Sequence, residues 1–233
     1  MCVIIVKKAG TKRPTEKQLK EAYNANPHGC GFAVAKSDGT IYSFKSTNCA
    51  KFYAKFDKHV EKADPGIIHF RLATHGSICS ANCHPFANEQ KTLYFAHNGI
   101  LPIESIDNKT DSQILFDSVL SGAAEVYGIE SQTFKQIVSK TIGSSKFAFL
   151  DSHNVYMFGD FEQANGLYYS NLRGIYTAYK QRKQYSLYNW FDESENESED
   201  LPESAFSYRN DKFFSDIFAE HNKAYKTPKV IPF

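Results

Sequence analysis

Short apolar runs of strand length recur from residue 2 to about residue 179, and segments with helical spacing fill the gaps between them. The first runs fall at 2–6, 32–35, 40–44, 66–71 and 93–97. A second cluster lies near 146–151, 154–159, 166–169 and 174–179. Such runs, bounded by Gly, Pro, Asn and Asp, read as strands, with Ser37-Asp38-Gly39 as the turn of a hairpin. Helices are predicted from Thr15 to Asn24, over roughly 48–62, over 111–120 and over about 131–141. Thr15 and Gln18 form a capping box for the first, and Leu19, Ala22 and Tyr23 give its apolar stripe. Residues 72–92 carry no sustained period and read as loop. This order predicts an α+β fold with two layers of sheet and helices outside them.

A chain of 233 residues buries most of its surface in one sizeable domain, so no disulfide or metal is needed to stabilise a core. Its 15% aromatic content suits sheets packed against another layer. The formal net charge is +1, which leaves direct nucleic-acid binding by bulk charge without support. Lys180-Gln181-Arg182-Lys183 reads as a solvated surface run. Five cysteines, at 2, 30, 49, 79 and 83, have no framework spacing. With no signal-like start and no apolar run of membrane length, they point to free thiols in a reducing cytoplasm and no membrane contact. Cys79, Cys83, His84 and His75 lack the second ligand pair that a zinc site needs, so no metal is expected. Cys30 and Cys49 read as small buried hydrophobes, and His97 as a core residue that orients the turn after it.

The chemistry is carried by a few scattered positions. Cys2 follows Met1, and removal of Met1 would expose a residue bearing both a thiol and a free α-amine. Such an amine titrates near 7.7–8.0 and serves as a base at neutral pH. Arg71 leaves a predicted strand for a loop, where a guanidinium can clamp a carboxylate. Asn98-Gly99 places an amide NH2 and an unobstructed backbone N–H at a strand end, as an oxyanion requires. Asp111 stands at a helix start, where it either caps the helix or binds a substrate ammonium.

The ordered set Met1-Cys2, His28-Gly29-Cys30-Gly31-Phe32, Arg71-Leu72-Ala73-Thr74-His75-Gly76, Cys83-His84-Pro85-Phe86, His97-Asn98-Gly99 and Asp111-Ser112 closely resembles the class II glutamine amidotransferases, which are N-terminal-nucleophile (Ntn) hydrolases. The resemblance covers about residues 2–185 and is nearest to small stand-alone γ-glutamyl amidohydrolase members. It implies a four-layer αββα sandwich of two antiparallel sheets. It also implies Cys2 as nucleophile with its amine as base, and Asn98 and Gly99 as oxyanion hole. Arg71 would hold the substrate α-carboxylate and Asp111 the α-ammonium, while Thr74, His75 and Gly76 shape the pocket. Val3, Cys30 and Leu72 depart from the residues many members carry there; Val3 bears on crowding beside the nucleophile. Residues 186–233 read as an acidic loop, 192–203, and a terminal helix, Arg209–Tyr225.

Three functions follow from these readings. The first is a glutaminase that releases glutamate and ammonia for a separate synthetase, since the chain shows no Gly-rich phosphate loop and no cofactor motif. The second is a stand-alone hydrolase of another γ-glutamyl amide. The third is a non-catalytic binding module that retains the fold, against which the intact Cys2, Arg71, Asn98, Gly99 and Asp111 argue.

Overall fold

A computed structural model describes residues 2–73, 76–106 and 108–175. Strand β1, Val3–Lys7, is buried along its whole length because both of its faces are covered. Val3 and Ile5 point to one side and Ile4 and Val6 to the other, as the two-residue period of a strand requires. Its antiparallel neighbours are β4 (Gly66–Phe70) and β10 (Leu167–Tyr169). With β2 (Cys30–Ala35), β3 (Ile41–Ser46) and β9 (Glu162–Ala164), they form a six-stranded sheet ordered β3-β2-β4-β1-β10-β9. A second, four-stranded sheet runs β5-β6-β7-β8 through Phe86–Ala87, Tyr94–Asn98, Lys146–Leu150 and Val155–Phe158. Every strand pairing in both sheets is antiparallel.

Three apolar layers separate four layers of structure. On the outer face of the larger sheet, Phe32, Val34, Ile68 and Phe70 meet Leu19 and Ala22 of helix α1 (Glu16–Ala25) and Phe52 and Phe56 of α2 (Cys49–His59). Thr15 caps α1 through Gln18 N–H, and the Gln18 side chain returns to the Thr15 backbone, completing the capping box. On the outer face of the smaller sheet, Phe95, Phe147 and Phe149 meet Leu115, Phe116, Phe134 and Val138. These come from α3 (Asp111–Leu115), a π-helical turn at Phe116–Leu120, and α5 (Gln132–Ile142), with α4 at Ser121–Tyr127 between them. Between the sheets lie Ile4, Val6, Ala33, Ala35 and Ile67 from one and Tyr94, Ala96, Ala148 and Leu150 from the other. The fold is therefore α+β, an αββα sandwich.

Several boundaries differ from the sequence expectation. The helix predicted over 111–120 turns π-helical at Phe116 and continues as α4 to Tyr127. The short strand β5 lies where loop was read, and β9 lies in a stretch between two expected strands to which no element was assigned. The strand expected over 174–179 begins in a turn at Gly174, and its remainder, the basic run at 180–183 and the acidic loop and terminal helix of 186–233 lie outside the described residues. Among the described residues no helix is long and apolar enough to cross a membrane.

Candidate active site

Antiparallel pairing decides what gathers around Cys2. The register Val3↔Phe70 and Ile5↔Tyr169 sets the start of β1 beside the ends of β4 and β10. Arg71 follows β4 directly, and Ser170 follows β10 directly. Across the sandwich, β6 ends in Asn98, which shares the inward parity of Tyr94 and Ala96. Cys2 shares the inward parity of Ile4, so the Cys2 thiol and the Asn98 amide both face the gap between the sheets. Val3 has the opposite parity and packs toward the helices, where it does not crowd the thiol.

Hydrogen bonds join these strand ends. The Cys2 Sγ accepts the Leu72 N–H at 3.3 Å and lies 3.6 Å from the Leu72 carbonyl, to which it donates. Asn171 Nδ2 donates to the Cys2 carbonyl at 2.8 Å. Ser170 Oγ accepts the Ile4 N–H and stands 2.8 Å from Asn98 Nδ2, while the Ser170 N–H donates to the Ile4 carbonyl. One hydroxyl thus ties β1 to the Asn98 side chain on the other sheet. Burial pushes the Cys2 thiol up from its ordinary pKa, against the lowering effects of the Leu72 N–H and the Arg71 charge. A thiol so placed needs a base to become a nucleophile.

Arg71 is 3% exposed and fixed at several points. Its N–H donates to the Gly29 carbonyl at 2.7 Å, its carbonyl accepts from His28 N–H at 3.0 Å, and its Nη1 donates to the Ser77 carbonyl at 2.8 Å. His28 Nδ1 also accepts the Ala73 N–H, so the segment around Gly29 and Gly31 braces the chain as it leaves β4. Gly31 is needed there because a Cβ would collide with the His84 carbonyl oxygen. Gly76 lies between the Arg71 guanidinium and Thr110: a Cβ there would stand 3.6 Å from Arg71 Nη2 and 3.5 Å from Thr110 Cγ2. Thr110 supplies the helix cap, accepting the Gln113 N–H, so Asp111 is the first residue of α3 and not its cap. The Asp111 carboxylate accepts the Leu101 N–H at 3.0 Å and the Ser112 N–H at 2.7 Å. Thr74 and His75 lie outside the described residues.

Gly99 has φ +153, and a Cβ on it would collide with Ser145 Oγ. The Asn98-Gly99 step therefore ends a strand against β7 and is no hairpin turn. His97 holds Ser112 Oγ at 2.7 Å through Nδ1, and burial lowers its pKa to about 4, so at neutral pH it is an uncharged orienting group. Cys30 is buried, its Sγ 3.3 Å from the Ser46 carbonyl, whereas Cys49 at the start of α2 is only partly buried. Ser170 and Asn171 join this cluster without having been singled out in the sequence, and His28, quoted there only within a motif, had been given no role.

The family model for class II glutamine amidotransferases matches residues 23–136, a span that includes Arg71, Asn98, Gly99 and Asp111. Those residues, just under half of the chain, are similar to a class II glutamine amidotransferase domain. Among curated relatives, the chain is similar to glutamine–fructose-6-phosphate aminotransferase (isomerizing) of Halalkalibacterium halodurans, 28% identical over 161 residues, which are 63% of this chain and 26% of that protein. The same enzyme of Bacillus thuringiensis subsp. konkukian is 25% identical over 167 residues, 66% of this chain and 28% of that one. The chain thus spans only about a quarter of the length of these relatives. Among solved structures, glutamine phosphoribosylpyrophosphate amidotransferase of B. subtilis superposes with TM-score 0.52 at 17% identity, over 75% of this chain and 42% of that one. That likeness is one of fold.

Proposed function

We propose that the protein is a glutamine amidohydrolase that uses Cys2, freed by removal of Met1, to convert glutamine to glutamate and ammonia. The observation that carries this reading is the shared Ser170 hydroxyl, which draws the β1 backbone two residues after Cys2 and the Asn98 amide onto one atom. The α-amine of Cys2 takes the thiol proton, and the sulfur adds to the γ-carbonyl carbon. The resulting oxyanion receives N–H donors from Asn98 and Gly99. Collapse of this intermediate breaks the C–N bond, the proton passes to the leaving nitrogen, and ammonia departs from a thioester. Water then attacks the thioester, releasing glutamate and regenerating the thiol.

Arg71 holds the α-carboxylate, and Asp111 receives the α-ammonium across Gly76. The ammonia serves a separate synthetase in the cytoplasm. The acceptor of that ammonia is not implied by the aminotransferases to which the chain is similar, because the rest of their length has no counterpart here.

The test is incubation of Met1-processed protein with glutamine while glutamate and ammonia are followed, with Cys2→Ala as control. Cys2-dependent release of both supports the reading. Activity that survives Cys2→Ala sinks the mechanism. Release only from other γ-glutamyl amides reassigns the substrate.

A further inference from the structure

Ser170 Oγ receives two donors as the structure stands, the Ile4 N–H and Asn98 Nδ2, each at 2.8 Å. Its own proton then has no acceptor among the hydrogen bonds of the described residues. At the same time Asn98 Oδ1 is buried with no hydrogen-bond partner. An orphaned carbonyl oxygen and an unspent hydroxyl proton on neighbouring side chains are both costly in a buried site. The two ends of a carboxamide are nearly isosteric, and a half-turn about the last torsion exchanges them. After that exchange, Ser170 Oγ–H donates to Asn98 Oδ1 and still accepts the Ile4 N–H. The Asn98 NH2 is then turned to the other, buried side, where no described residue partners it and its N–H groups are left to donate to a ligand's developing oxyanion.

We propose that Ser170 is the positioning residue of the oxyanion site, fixing the Asn98 amide with its oxygen toward Ser170 and its NH2 toward the substrate. The Ile4 bonds anchor Ser170 to the nucleophile strand through both the hydroxyl and the backbone, and Asn171 extends the same grip to the Cys2 carbonyl. The donor that stabilises the oxyanion and the sulfur that creates it are therefore set from one dipeptide. The kinetic part of this inference rests on the glutaminase reading; the amide orientation does not.

Two experiments test it. Neutron diffraction from deuterium-exchanged crystals of the full chain locates the Asn98 deuterons. They are expected on the amide atom remote from Ser170, with the Ser170 deuteron aimed at Asn98; deuterons on the atom facing Ser170 overturn the proposal. For kinetics, Ser170→Ala is expected to lower kcat for glutamine by about 10-fold or more, short of the roughly 10²–10³-fold loss that follows removal of an oxyanion donor. KM and the rate of Cys2 alkylation by iodoacetamide, a displacement that forms no oxyanion, stay within about twofold. In an Asn98→Ala background the Ser170→Ala change adds less than about twofold, as expected of residues acting as one unit. Ser170→Thr retains the hydroxyl and most of the rate. Losses that multiply, or an equal fall in alkylation, overturn the proposal. Absence of any glutamine turnover in the parent protein sinks the glutaminase reading instead, and there, as in the case of a Ser170→Ala chain that does not fold, the neutron map decides.

Discussion

The Arg71 backbone is fixed by Gly29 and His28 and its Nη1 by the Ser77 carbonyl, which on the proposed reading sets its planar fork for a carboxylate. Lysine keeps the charge but loses the fork. Arg71→Lys is therefore expected to raise KM for glutamine about 10-fold or more with a smaller change in kcat; an unchanged KM in steady-state kinetics would remove Arg71 from carboxylate binding. Asn98→Ala is expected to lower kcat roughly 10²–10³-fold while Cys2 remains alkylable, and an unchanged rate would reduce Asn98 to a strand terminus. Gly99→Ala meets Ser145 directly and costs about 1–3 kcal/mol in urea denaturation, because the close β7 neighbour cannot yield without shifting the sheet. The residues of these predictions were legible in the sequence because each stands in a short motif with its neighbours. Ser170 and Asn171 were not, because they act on partners 72 and 169 residues away and their own segment reads as an ordinary strand end. No local pattern encodes such a bond; only the β1–β10 register creates it.

At the scale of elements, legibility follows how much of the stabilising interaction is local. Helix α1 was readable because its cap, its reciprocal Gln18 bond and its apolar stripe all lie within the segment. Strands β5 and β9, of two and three residues, are too short to show alternation and exist through pairing with β6 and β10. The π-helical turn likewise has no sequence signature; it brings Phe116 parallel to Phe95, with ring centroids 5.2 Å apart, and returns the chain to α-helix at Ser121. Four of the nine buried residues between the sheets are small, Ala33, Ala35, Ala96 and Ala148, which lets two backbones approach closely there. The distance from Cys2 to Asn98 is set by that approach. Ala148→Leu is expected to destabilise the fold by about 1–3 kcal/mol through overpacking. It should also lower kcat in protein that remains folded, since it spreads the two sheets that carry the nucleophile and the amide. Urea denaturation and kinetics on the same preparation check both halves; a destabilised but fully active variant would show that the site tolerates the spacing.

Among the described residues three histidines lie in the interior, and this makes stability depend on pH. His69 on β4, His84 before β5 and His97 on β6 are all buried, with the His69 and His84 rings 4.3 Å apart. Burial lowers the His69 pKa to about 3 and the His97 pKa to about 4, and holds His84 well below 6.5. The Asp111 carboxylate works in the opposite direction on His97, and Arg71 adds to the lowering at His69 and His84. In the unfolded chain each imidazole returns to a pKa near 6.5. Between about pH 6.5 and the folded values the unfolded chain therefore binds more protons than the folded one, and stability rises with pH across that window. The contribution is fully present above 6.5, falls as pH drops through the unfolded value, and levels off below the folded values. A melting series from pH 7 to about 5 crosses the range in which an unfolded chain's imidazoles take up protons. Tm is expected to fall by several degrees over that interval, given about 2–4 °C per kcal/mol for a chain of this size. His97→Gln, which retains a polar group toward Ser112 but does not titrate, should flatten the slope. A Tm that stays level from pH 7 to 5 would mean that the imidazoles are protonated inside the fold, and with them charged, His97 could no longer be the neutral group that orients Ser112 and the start of α3 beside Asp111.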